Sequence, residues 1–142
     1  MRNFLIFTLL IFFLLFFTGC KPEDLRMMTS NSIIIEFDGE QCLPLESFVP
    51  PNEDIFVSIK NSSTLDFTWH VIIFPISESI GLNDPKNTIF SAKVPAGEQM
   101  DFNFTSPKLT ARYDTLCVPD LHPEKRILKY LLVVDPYPTQ VK

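Results

Sequence analysis

The sequence predicts an all-β protein, an antiparallel Greek-key β-sandwich or barrel. Three observations predict it. From Ser32 onward, short runs rich in β-branched and aromatic residues are separated by clusters of Pro, Gly, Asn and Asp. No segment sustains the 3.6-residue spacing of an amphipathic helix. About seven strands within roughly 110 residues, joined by turn signals, is the pattern of a two-sheet sandwich.

Strands are expected over residues 32–37, 55–61, 68–74, 88–94, 100–104, 111–117 and 129–134. The alternation is clearest in the second, where Ile55, Val57 and Ile59 share one face and Phe56, Ser58 and Lys60 the other. Val49-Pro50-Pro51-Asn52, Asn83-Asp84-Pro85 and Pro95-Ala96-Gly97 carry turn chemistry between them. A helical turn is expected within residues 77–84. Glu36, Asp38 and Glu40 alternate along a strand edge and read as a solvated face rather than a calcium site.

Ahead of the strands, residues 1–19 hold one charge, Arg2, then an apolar run from Phe4 to Phe17. A short basic start, an apolar stretch and small closing residues make a secretory signal peptide. The run is too short for a bilayer, which needs roughly 20 apolar residues. An ordinary signal peptide and an uncleaved anchor are the other readings. Phe17-Thr18-Gly19-Cys20 resembles the lipobox of bacterial lipoproteins. That resemblance implies cleavage before Cys20, lipid on Cys20 and anchoring to a membrane. Each buried CH₂ of the acyl chains adds about 0.8 kcal/mol. Lys21 follows the Cys where enteric sorting signals for the inner membrane have Asp, and the choice between inner and outer membrane stays open.

The expected organisation is therefore a signal peptide over 1–19, a lipidated Cys and tether over 20–31, and one domain over 32–142. Met27 and Met28 in the tether could offer soft thioethers to Cu(I), but they read as linker. Without the signal the chain keeps 11 Lys+Arg against 17 Asp+Glu, a net charge of −6. An acidic domain lacks the basic face that nucleic acid requires. With Cys20 acylated, Cys42 and Cys117 remain, and in an oxidising compartment two thiols tend to pair.

The residues that carry chemistry are few. His70 sits inside the strand Trp69-His70-Val71-Ile72-Ile73-Phe74; Cys117 closes another, and His122 follows five residues later. Two imidazoles and a thiolate converging from these places would form the His₂Cys set of a mononuclear copper site. The bland alternatives are a core histidine, a loop histidine before Pro123 and a structural disulfide. An enzyme is not expected. Cys117 with either His offers a nucleophile and a base, but nothing supplies an orienting group or oxyanion donors. The four Gly form no phosphate loop.

At this point the sequence resembles a known family, the cupredoxins or small blue copper proteins, over roughly residues 33–134. Cys42-Leu43-Pro44 through Val49-Pro50 is similar to the start of the domain. Val57-Ser58-Ile59-Lys60-Asn61 resembles its second strand, which ends in Asn. His70 falls where the first copper His is expected. Val94-Pro95-Ala96-Gly97 resembles the turn before the penultimate strand pair, and Tyr113 precedes Cys117 as an aromatic residue does in the family. The Cys-x₄-His spacing of Cys117 and His122 is similar to the azurin-like ligand loop.

The resemblance implies a cupredoxin-like fold in which copper is held by His70, Cys117 and His122. There are departures. Arg126 stands where the axial Met is expected, Leu121 replaces a small residue before the second His, and Val71 replaces the Asn that follows the first. Glu124 or a backbone carbonyl is the alternative axial ligand. Cys42 with Cys117 also resembles the cysteines of cupredoxin-like domains in periplasmic iron-uptake lipoproteins. If the first strand pairs as it does in the family, Cys42 ends near Cys117, and either both thiolates see one metal or they close a disulfide whose loop would stabilise by roughly 4 kcal/mol. The expectation is thus a monomeric, lipid-anchored periplasmic or extracytoplasmic copper protein serving electron transfer or copper handling, with a redox partner protein. The alternative is a metal-free structural or interaction lipoprotein with a Cys42–Cys117 disulfide.

Overall fold

A computed structural model describes residues 28–75 and 85–135. The signal peptide expected over 1–19, Cys20 and the turn expected within 77–84 lie outside the described residues.

Among the described residues, nine strands form two facing sheets. They are β1 (Ser32–Phe37), β2 (Cys42–Leu43), β3 (Glu46–Val49), β4 (Asp54–Asn61), β5 (Phe67–Ile72), β6 (Thr88–Val94), β7 (Gln99–Thr105), β8 (Ala111–Pro119) and β9 (Ile127–Val133). One sheet runs β2-β1-β4-β7 and the other β3-β9-β8-β5-β6. The expected sandwich is present, and β1 and β6 have the expected bounds. The sheets are mixed rather than wholly antiparallel, because β1 runs parallel to β4 and β3 parallel to β9.

Strands β2 and β3 were not legible in the sequence. They hold two and four residues, too few for alternation to register. Between them the chain changes sheets: Cys42 pairs with Phe37 in the first, and Glu46 pairs with Tyr130 in the second. Pro44 sits at this crossing, where it withholds no ladder donor from either sheet.

Period-2 burial builds the core. Ile33, Ile35 and Phe37 of β1 point inward with Ile55, Val57 and Ile59 of β4, against Phe67, Trp69, Val71, Leu131 and Val133 of the other sheet. Phe37 and Phe67 meet across the sheets with ring centroids 4.4 Å apart. Fully burying side chains of this size contributes roughly 1.5–3 kcal/mol each.

Two polar anchors fix the loops. Asn61, buried at the end of β4, donates to the carbonyls of Leu65 (2.8 Å), Val94 (3.2 Å) and Pro95 (3.0 Å). Its Oδ1 accepts from the amide and hydroxyl of Ser63. Tyr113 donates from its hydroxyl to the Leu109 carbonyl four residues upstream, at 3.1 Å, resembling the tyrosine corner of β-sandwiches. The acidic run after Phe37 is a turn: Asp38 Oδ1 accepts the amides of Glu40 (2.9 Å) and Gln41 (2.7 Å), and Gly39 takes φ +101°. The amide of Gln41, then that of Glu40, hold the Asp38 carboxyl below its ordinary pKa.

Candidate functional site

Cys117 lies near the end of β8, the middle strand of the five-stranded sheet, with its side chain in the core and no solvent exposure. Cys42 comes from β2 at the edge of the opposite sheet and is equally buried. The two form a disulfide with Cα atoms 6.4 Å apart, joining the sheets over a separation of 75 residues.

Across the β5–β8 ladder, Cys117 is paired with Trp69 and Leu116 with His70. Successive side chains on a strand point to opposite faces. Trp69 therefore shares the inner face with the disulfide, and His70 occupies the outer face with Leu116. Trp69 is 1% exposed and packs edge-on against Phe90 (5.9 Å) and Phe104 (6.1 Å), which stack at 5.1 Å. Its buried Nε1–H has no acceptor among the described residues.

His70 is 8% exposed. It is flanked on the outer face by Ile72, Leu116 and Val118, a second apolar cluster separate from the main core. Its Nδ1 has no partner among the described residues. Burial pushes its pKa below the usual imidazole value, and the charge of Asp120 partly opposes this. Asp120 itself accepts from Thr68 Oγ1 at 3.2 Å and from Lys93 Nζ; Lys93 also reaches Asp66 at 3.4 Å. The hydrogen bond to Asp120 is the leading cause of a raised Lys93 pKa.

His122 stands beyond β8, where its amide donates to the Pro119 carbonyl at 3.1 Å. It opens a single 3₁₀ turn, Pro123–Lys125. Its side chain is 44% exposed, and Nδ1 lies 3.1 Å from Glu124 Oε1. Glu124's own backbone amide, then His122, lower its carboxyl pKa. Arg126 lines an outer-face cleft of about 220 Å³ with Ile72, Pro75, Asp114, Leu116 and Leu128.

No family model matches the chain, and no curated protein matches it. Among solved structures it is similar to dithionite-reduced auracyanin from the photosynthetic bacterium Roseiflexus castenholzii. Identity is 22%, coverage is 75% of this chain and 99% of that one, and the TM-score is 0.61. Auracyanin A, a blue copper protein from the green thermophilic photosynthetic bacterium Chloroflexus aurantiacus, shares 22% identity over 72% of this chain and 98% of its own, with a TM-score of 0.59. Auracyanin B shares 14% identity over 75% and 91%, also at 0.59. The chain has the cupredoxin fold.

The cupredoxin fold brings Cys42 and Cys117 together as a bonded pair, the disulfide alternative of the sequence reading and not the pair of free thiolates around a metal. The expected metal set of His70, Cys117, His122 and Cys42 is not gathered around one point. Sγ of Cys117 is bonded to Cys42, the His70 ring is on the other face of the sheet, and His122 Nδ1 is taken up by Glu124. Among the described residues, no three His, Cys, Asp or Glu side chains are placed to hold a metal ion. With Cys117 bonded to Cys42, this donor set does not fit copper. Sequence reasoning passed over Trp69, although the alternation Phe67-Thr68-Trp69-His70-Val71 carries the signal. Its three apolar members share one face and its two polar ones the other.

Proposed function

We propose that this is a lipid-anchored, extracytoplasmic protein of cupredoxin fold that works as a metal-free structural or interaction module, not as an enzyme. The Cys42–Cys117 bridge carries this reading. Structural disulfides persist in oxidising compartments, which is where a signal over residues 1–19 with Cys20 at its end would deliver the chain. Lipid on Cys20 would tie to a membrane a domain whose backbone bonding begins at Ser30, which donates its amide to the Phe48 carbonyl at 2.9 Å. The acidic charge speaks against nucleic acid as a partner.

The test is mass spectrometry of the membrane-extracted protein. Alkylation of the unreduced, denatured chain should add nothing at Cys42 or Cys117, whereas reduction first should add one label to each. Labels at Cys42 or Cys117 of the unreduced chain overturn the reading. Cys20→Ser should leave the protein in the soluble fraction; unchanged membrane association would reject the anchor.

The likeness to blue copper proteins favours a second reading: copper binding for electron transfer or copper handling through His70, Cys117 and His122, with Cys42 as a further ligand. It requires an open disulfide. An intense visible thiolate–Cu(II) absorption in the reduced protein, lost in Cys117→Ser, would favour it over the first.

A further inference from the structure

We infer that Trp69 blocks the approach to Cys117 from β5, so that the domain builds no copper–thiolate site even with Cys117 free. This rests on the metal-free reading and extends it from the oxidised to the reduced protein. The reason is register. An imidazole from β5 could reach Cys117 Sγ only from an inward position, and the inward residues of that strand are Phe67, Trp69 and Val71. The one opposite Cys117 is Trp69, whose indole offers a donor N–H and no lone pair for a metal.

His70 is one position out of register. Moving it to the inner face would need a one-residue slip, which turns every side chain of β5 over. Phe67, Trp69 and Val71, all buried at 0–1% exposure, would leave the core, and Thr68 and His70 would enter it. The ladders to β6 and β8 hold the present register on both sides of the strand. Opening the disulfide changes none of this.

The experiment uses the full chain in detergent. Cys42→Ala frees Cys117 and keeps an apolar group at a buried position. With Cu(II), this variant should show no intense visible thiolate band. Adding Trp69→His should create one, because an imidazole then faces the thiol. An intense thiolate band in Cys42→Ala overturns the inference, whether or not His70→Ala removes it, as does a folded double variant without a band. Should Cys42→Ala not fold, the wild-type protein reduced by a phosphine and given Cu(I) serves instead. The His70 imidazole resonances should then stay in place, and a copper-dependent shift overturns the inference. Free thiols found in the native protein would sink the disulfide reading alone and leave this one standing.

Discussion

Trp69 and Cys117 lie directly opposite each other on adjacent strands, both turned into the core, so the chain's single tryptophan sits beside its inter-sheet disulfide. Directly opposed residues hold their Cβ atoms about 4.5–5.5 Å apart. A disulfide accepts an electron from an excited indole at such separations and quenches it. The folded oxidised protein should therefore emit weakly, and reduction that preserves the fold should raise the emission several-fold without a red shift. An unchanged intensity would mean that the indole is not against the bridge.

The bridge closes a long loop across the two sheets. On the chain-entropy model its removal costs roughly 4 kcal/mol. The Cys42→Ala/Cys117→Ala variant should lose about that much in urea unfolding, with an increased folding-limb contribution to the loss if the loop closes before the transition state. A loss below about 1 kcal/mol would mean that the sheets are held by packing alone.

Asn61 is the polar keystone of the turn that joins β6 to β7, since its amide satisfies three carbonyls and its oxygen two donors from Ser63. Asn61→Ala strands these buried groups, each costing about 1–3 kcal/mol when left unmade. A loss of about 3 kcal/mol or more is expected by chemical denaturation. Asn61→Asp should be no better, because a carboxylate cannot donate to the carbonyls of Leu65, Val94 and Pro95.

His70 gives the fold a pH dependence. Burial lowers its pKa in the folded state, while the unfolded chain titrates near 6.5. Below that value the unfolded state binds the proton more readily, so stability is full above about pH 6.5 and falls as the pH drops toward and through the folded pKa. His70→Gln should flatten the difference curve between pH 5 and 7. An identical pH profile in the two proteins would show that the ring is not desolvated.

Much of the scaffold could be read from alternation. The inward sets of β1 and β4 follow from a strict period of two, and the cysteine pair was foreseeable once Cys20 was set aside. The parallel pairing of β1 with β4 and of β3 with β9 was not, because strand direction leaves no trace in residue type. The type of His70 and its distance along the chain do not place its ring; the parity of Phe67, Trp69 and Val71 decides which face it occupies. The spacing of Cys117 and His122 alone does not decide between a metal and Cys42 as the partner of the sulfur, and in the fold that partner is Cys42.

The switch of sheets just after Cys42 has a consequence for how the molecule matures. Strand β3 has no partner until β9 arrives, and Cys42 none until Cys117 does, 75 residues later. If the chain is exported as proposed, emerging N-terminus first, it would thus carry an unmatched thiol through most of its passage. The native bond must wait for the second half of the polypeptide, and a mixed disulfide formed earlier, when Cys42 thiolate attacks another disulfide and expels its other thiol, would have to be undone by a second exchange before the sandwich could be sealed.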